Sequence, residues 1–167
     1  MVDSYDHTQY GFLHYLLVFS GVTVLMMGIV TGEDNPPSFY GCIALSALTF
    51  LFAGCFAYLR VSDAGDALSL QFGPIGIFRR RIAYRDVERV EVSRTRFWDG
   101  WGIHGFPFDG LTYNIKGFRC VRVTLKRPSG LWRFKYINIG TDDPEGLAAF
   151  LKSRIQPPNE AERSPSL

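Results

Sequence analysis

No lysine or arginine occurs before Arg60, and two long stretches, Gly11 to Thr31 and Phe39 to Leu59, lack Asp, Glu, Lys and Arg altogether. Four acidic residues and no basic one precede Arg60, a balance of −4. From Arg60 onward there are 18 basic and 12 acidic residues, a balance of +6 that the overall +2 conceals. The absences continue in the chemistry. Three cysteines, Cys42, Cys55 and Cys120, have no paired spacing, which excludes a disulfide framework and a zinc site. The histidines His7, His14 and His104 are scattered, with no carboxylate or cysteine at ligand spacing. No phosphate-binding glycine loop is present, no nucleophile–base set is legible, and Asp142-Asp143 reads as a helix cap rather than an acid–base pair. No nucleic-acid-binding motif occurs. The expectation is a protein that is not an enzyme and uses no cofactor or metal.

What is present begins with the two uncharged runs. Each is about 20 residues, the length that spans a hydrocarbon core of about 30 Å as a helix. Two such runs back to back need more covering shell than the remaining chain supplies. Residues 1–60 are therefore read as an N-terminal tail and two transmembrane helices, about 11–31 and 39–59. With no basic residue ahead of it and no small-x-small site before Gly32, the first run reads as retained rather than as a cleaved signal. The linker Gly32-Glu33-Asp34-Asn35-Pro36-Pro37-Ser38 is short, so the helices are antiparallel and both ends of the chain share one side. Basic residues crowd the far side of the second run, at Arg60 and Arg79-Arg80-Arg81, which predicts a cytoplasmic domain by the positive-inside rule. Tyr10, Tyr15, Phe39, Tyr40 and Tyr58 sit where an interfacial aromatic belt would. Gly21 with Gly28, and Gly41 with Ala44 and Ala47, form small-residue stripes for packing within the hairpin or against another membrane protein.

Residues 61–156 change character. Leu68, Leu70 and Phe72 alternate with polar residues, Gly73-Pro74 breaks the run, and further strands are predicted through Ile77–Ile82 and Val87–Val92. Val121, Val123 and Leu125 face a second alternating set, Trp132, Phe134 and Tyr136, across a Pro128-Ser129-Gly130 turn. Pairing Leu125 with Trp132, Val123 with Phe134 and Val121 with Tyr136 aligns the apolar faces. Asp143, Pro144 and Glu145 then start a helix with the stripe Leu147, Phe150, Leu151 and Ile155, which Gln156-Pro157-Pro158 stops. Residues 157–167 read as a disordered tail.

This order of segments resembles the bacterial pleckstrin-homology-like (PH-like) domains that follow a transmembrane hairpin in small membrane proteins. The likeness rests on Leu70-Gln71-Phe72-Gly73-Pro74, Ile82-Ala83-Tyr84-Arg85-Asp86-Val87-Glu88-Arg89-Val90, Gly100-Trp101-Gly102-Ile103, and Ile139-Gly140-Thr141-Asp142-Asp143-Pro144 leading into Leu147-Ala148. It implies a mainly-β antiparallel sandwich or partly open barrel capped by the C-terminal helix, in a two-pass protein of the bacterial plasma membrane. It implies no activity. Where phosphoinositide-binding relatives carry Lys and Arg, the first loop here is the uncharged Gly73-Pro74-Ile75-Gly76.

Two candidate binding features remain. By strand parity Arg79, Arg81, Arg122, Lys126, Arg133 and Lys135 point outward as a basic face, with Arg80 on the more apolar side beside Phe78 and Ile82. The loop from Phe97 to Leu111 interleaves aromatics with glycines; Trp98 and Trp101 either fill the end of the sheet or touch the bilayer interface or a partner. The functional expectation is a membrane-anchored binding or scaffolding module for a protein partner or anionic lipid headgroups. The alternative is an accessory subunit of a larger membrane complex that binds through its hairpin.

Overall fold

The fold is described from a computed structural model covering residues 4–32, 35–95, 101–105, 110–129 and 134–155. Trp98, Trp132, Arg133 and the tail 157–167 lie outside the described residues.

The two uncharged runs form helices α1 (Leu13–Thr31) and α2 (Pro36–Cys55), both long and apolar enough to cross a membrane. Pro36 and Pro37 occupy the first turn of α2, where their missing N–H groups cost nothing, and the Asn35 side chain accepts from the Ser38 amide. Few residues of either helix are buried, so neither packs as a core helix of this chain. The Thr23, Thr31 and Thr49 hydroxyls donate to the carbonyls of Phe19, Met27 and Leu45, which satisfies them without water. Gly21 packs against Phe50 and Gly28 against Cys42, so the first small-residue stripe is used inside the hairpin. Gly41, Ala44 and Ala47 face outward instead.

The helices continue into strands. β1 (Asp6–Tyr10) precedes α1, and β2 (Tyr58–Asp63) follows α2; they pair antiparallel, Tyr10 opposite Tyr58 and Asp6 opposite Ser62. The stretch read as a tail thus contains an edge strand of the β region, and α2 ends four residues before Leu59. The period-two signal in residues 6–10 and 58–63 is short and abuts the apolar runs, which masks it. β3 (Ala67–Phe72) and β4 (Phe78–Ala83) complete a four-stranded antiparallel sheet, order β1-β2-β3-β4.

A single 3-10 turn, Tyr84–Asp86, leads into β5 (Val87–Arg94). The second sheet adds β6 (Gly102–Gly105), β7 (Gly110–Asn114), β8 (Arg119–Ser129) and β9 (Phe134–Gly140) in the order β5-β8-β9-β7-β6. β9 inserts between β7 and β8 and runs parallel to β7, so the sheets are not wholly antiparallel as expected.

The β8–β9 register also differs. Val123 pairs with Ile137 and Val121 with Ile139, three residues along from the expected pairing. Two causes are visible. β8 runs through Pro128 to Ser129, so no tight turn forms at Pro128. An irregularity between the Thr124–Tyr136 and Ser129–Phe134 pairs then changes strand parity, so Phe134, Ile137 and Ile139 all face the core. Tyr136 turns to the other face, under the Arg122 guanidinium at 4.5 Å from its ring centre. An aromatic with a polar tip tolerates that face; an isoleucine does not.

The core between the sheets is built from Leu59, Val61, Leu68, Leu70, Phe72, Val121, Val123, Ile137 and Ile139, all fully buried or nearly so. Helix α3 (Pro144–Ile155) closes it with Leu147, Phe150 and Leu151. The Asp143 carboxylate accepts from the Gly146 amide as the sequence predicts for a cap.

Candidate functional site

Two places combine exposed chemistry with fixed geometry: the root where hairpin and sheets join, and a corner toward the other end of β4.

At the root, Gly73 (φ +59°) donates its amide to the Tyr58 carbonyl and sits against the last carbonyls of α2. A side chain there would overlap the Gly54 and Cys55 carbonyls, so only glycine permits the approach. Phe56, in the two-residue link to β2, packs on Phe72 and Phe78, each 5.5 Å between ring centres. Phe12, just before α1, meets Trp101 edge-on at 4.5 Å. Ile75 and Ile77, in the β3–β4 turn beside Gly73, are 53% and 59% exposed, and Trp101 is 38% exposed.

At the second place, a cleft of about 220 Å³ opens between the ends of β4 and β8. Arg80, Arg81, Arg127 and Asp86 border it, over an apolar lining of Ile82, Ala83, Leu125, Pro128 and Ile137. Arg80 reaches inward to hydrogen-bond the Tyr113 hydroxyl; burial nevertheless raises the phenol above its usual range. Arg81 pairs with Asp66 at 2.9 Å. Arg127 is exposed and makes no ion pair among the described residues.

The predicted basic face is divided between the sheets. Arg79 and Arg81 belong to β4, whereas Arg122, Lys126 and Lys135 belong to β8 and β9. Arg122 lies opposite Glu91 and donates to the Asn138 side chain, which in turn donates to the Thr112 hydroxyl. Lys126 donates to the Arg85 carbonyl. Arg79 and Lys135 are exposed. Of the predicted basic residues that are described, only Arg81 lines the cleft. Arg127 directly follows Lys126, so by strand parity it falls outside the predicted outward face. Among the described residues no three His, Cys, Asp or Glu side chains could together hold a metal ion.

β1 is fastened to the rest by polar contacts. Asp6 is paired with Arg60, whose hydrogen bond and charge hold its carboxyl below the usual range. His7 lies 2.5 Å from Asp142. Burial of Asp142 works upward on its pKa, but the His7 contact and Lys116 bring the net shift below the usual range. The Gln9 side chain donates to the Gly140 carbonyl. No protein-family model, curated protein or solved structure matches the chain.

Proposed function

We propose that the chain is a membrane-anchored, non-enzymatic binding module. Its hairpin spans the bacterial plasma membrane twice, holding a PH-like domain on the cytoplasmic side, and the arginine-bordered cleft receives an acidic group of a protein partner. The cleft itself is the observation that carries the reading. Three guanidiniums over an apolar lining suit a carboxylate or phosphate borne on an apolar segment, since guanidinium pairs planar anions in two-pronged fashion. Its position favours a protein over the bilayer. Arg81 lies four residues beyond Ile77, about 13 Å along β4 at about 3.3 Å per residue. Charges at that range from a lipid surface are largely screened, because the Debye length is about 8 Å at physiological salt.

The outward stripe Gly41, Ala44 and Ala47 favours a second reading, an accessory subunit held by its hairpin. One experiment separates the two. Full-length protein, purified with its partners in mild detergent, is compared with Arg81→Glu/Arg127→Glu and with Gly41→Leu/Ala47→Leu, each checked for fold by circular dichroism. Loss of the partner on charge reversal alone supports the cleft. Loss on the hairpin substitutions alone supports the subunit. If anionic lipid, rather than protein, is what charge reversal removes, the headgroup is the ligand.

A further inference from the structure

Among the described residues, nothing covers the apolar surface at the hairpin root. α1 begins at Leu13 and α2 ends at Cys55, and their 19 and 20 residues match the hydrocarbon thickness at about 1.5 Å per residue. The hydrocarbon boundary on the domain side therefore falls at Leu13 and Cys55. Gly73 rests on the carbonyls of Gly54 and Cys55, which brings the β3–β4 turn to that level. Ile75 and Ile77 of this turn are more than half exposed. Trp101 reaches the same level from the other side, through its edge-on contact with Phe12. The turn carries no charge between Gly73 and Phe78, and the exposed Arg79 follows immediately. An apolar tip with a basic residue just behind it suits the boundary between acyl chains and anionic headgroups, and a half-exposed tryptophan suits the same layer.

We propose that Ile75, Ile77 and Trp101 form an apolar collar that enters the interfacial layer of the bilayer around the base of the hairpin. The occupant of this surface is lipid, because Gly73 and Trp101 seat it against the domain-side ends of α1 and α2, helices whose outward residues are themselves apolar and exposed. The collar gives the domain one fixed attitude on the membrane instead of leaving it to swing on a tether. This inference rests on the reading that the hairpin spans a bilayer.

The test uses the full chain in vesicles of phosphatidylcholine and phosphatidylglycerol. An environment-sensitive fluorophore is attached at Ile75→Cys, Ile77→Cys, Ala64→Cys and Leu48→Cys in turn, with the unsubstituted chain as the blank for native cysteines. Ala64 is exposed at the β2–β3 turn, away from the root, and Leu48 faces outward from α2. The collar predicts blue-shifted emission at positions 75 and 77 that a shallow spin-labelled lipid quenches, no quenching at 64, and quenching at 48 by a deep spin label. If 75 and 77 behave like 64 while 48 is quenched, the hairpin spans and the collar is wrong. If 48 is not quenched either, the membrane-spanning reading itself fails.

Discussion

A Cβ at Gly73 would stand 2.3 Å from the carbonyl oxygen of Gly54. The turn of the first sheet and the end of the second helix therefore meet backbone to backbone. Gly73→Ala should cost on the order of 3 kcal/mol, from positive φ together with the overlap. Gly65→Ala is the control: its φ is +81°, but a Cβ there meets open space, so the backbone cost of about 1–2 kcal/mol stands alone. Thermal unfolding in detergent, followed by circular dichroism, measures both. Equal shifts would show that the seat of the turn on α2 adds nothing.

Asp63 ties the far end of the first sheet to the C-terminal helix. Its carboxylate accepts from the Tyr84 hydroxyl at 2.7 Å and from Arg154 at 2.5 Å, and only 8% of its side chain is exposed against 34% for Arg154. Removing the cation leaves a buried charge less satisfied. Arg154→Met should cost on the order of 2 kcal/mol, discounted for the partial exposure of the arginine. Arg81→Met breaks a pair whose side chains are 58% and 82% exposed, and should cost less than about 1 kcal/mol. Denaturant midpoints of the two variants test the ranking.

The uncharged runs announced both apolar helices because lipid-length runs without charge have few other outcomes. Asp143-Pro144-Glu145 announced α3 because a cap, a first-turn proline and an apolar stripe agree there. Other features depend on contacts distant in the sequence. β1 is stabilised by a strand whose paired residues lie 48 (Tyr10 to Tyr58) to 56 (Asp6 to Ser62) positions away. The insertion of β9 between β7 and β8 leaves no local mark in either strand. The β8–β9 pairing misled because Trp132, Phe134 and Tyr136 alternate cleanly, whereas burying Ile137 and Ile139 decided the register. The cleft was not legible, since Arg80, Arg81 and Arg127 meet only once both sheets have closed.

Burial, with the carboxylates of Asp143 and Asp142 nearby, pushes the Tyr5 phenol up to about 12. The folded chain holds this proton more tightly than the unfolded one, where tyrosine titrates near 10. The resulting stability is complete below about pH 10 and is lost as pH rises toward about 12. Two pKa units correspond to about 2.7 kcal/mol, an order-of-magnitude ceiling. Tyr84 is shifted in the same direction by burial and by its bond to Asp63, so it adds to the alkaline loss. Tyr5→Phe keeps the stack on Phe150, 5.5 Å between ring centres, and removes the ionisable group. Urea unfolding at pH 8 and pH 11 should show a smaller drop for Tyr5→Phe than for the parent. An equal drop in the two proteins would mean that Tyr5 stays protonated equally well in both states.

The β1–β2 ladder makes a topological prediction independent of any charge rule. Residues 6–10 precede the first apolar helix and residues 58–63 follow the second, yet they hydrogen-bond to each other, so they occupy the same side of any membrane the hairpin crosses. The linker around Ser38 occupies the opposite side. For the side itself the proposed reading rests on charge: all 18 Lys and Arg lie at Arg60 or beyond, and the positive-inside rule then predicts a cytoplasmic domain. Ser4→Cys, Ala64→Cys and Ser38→Cys, at three exposed positions, test both statements with a membrane-impermeant thiol reagent. On intact cells Ser38→Cys should label and the other two should not; after lysis all three should. Labelling at 4 and 64 but not at 38 would reverse the orientation and leave the ladder standing. Labelling at 4 together with 38, but not 64, would separate β1 from β2 across the membrane and break the ladder itself.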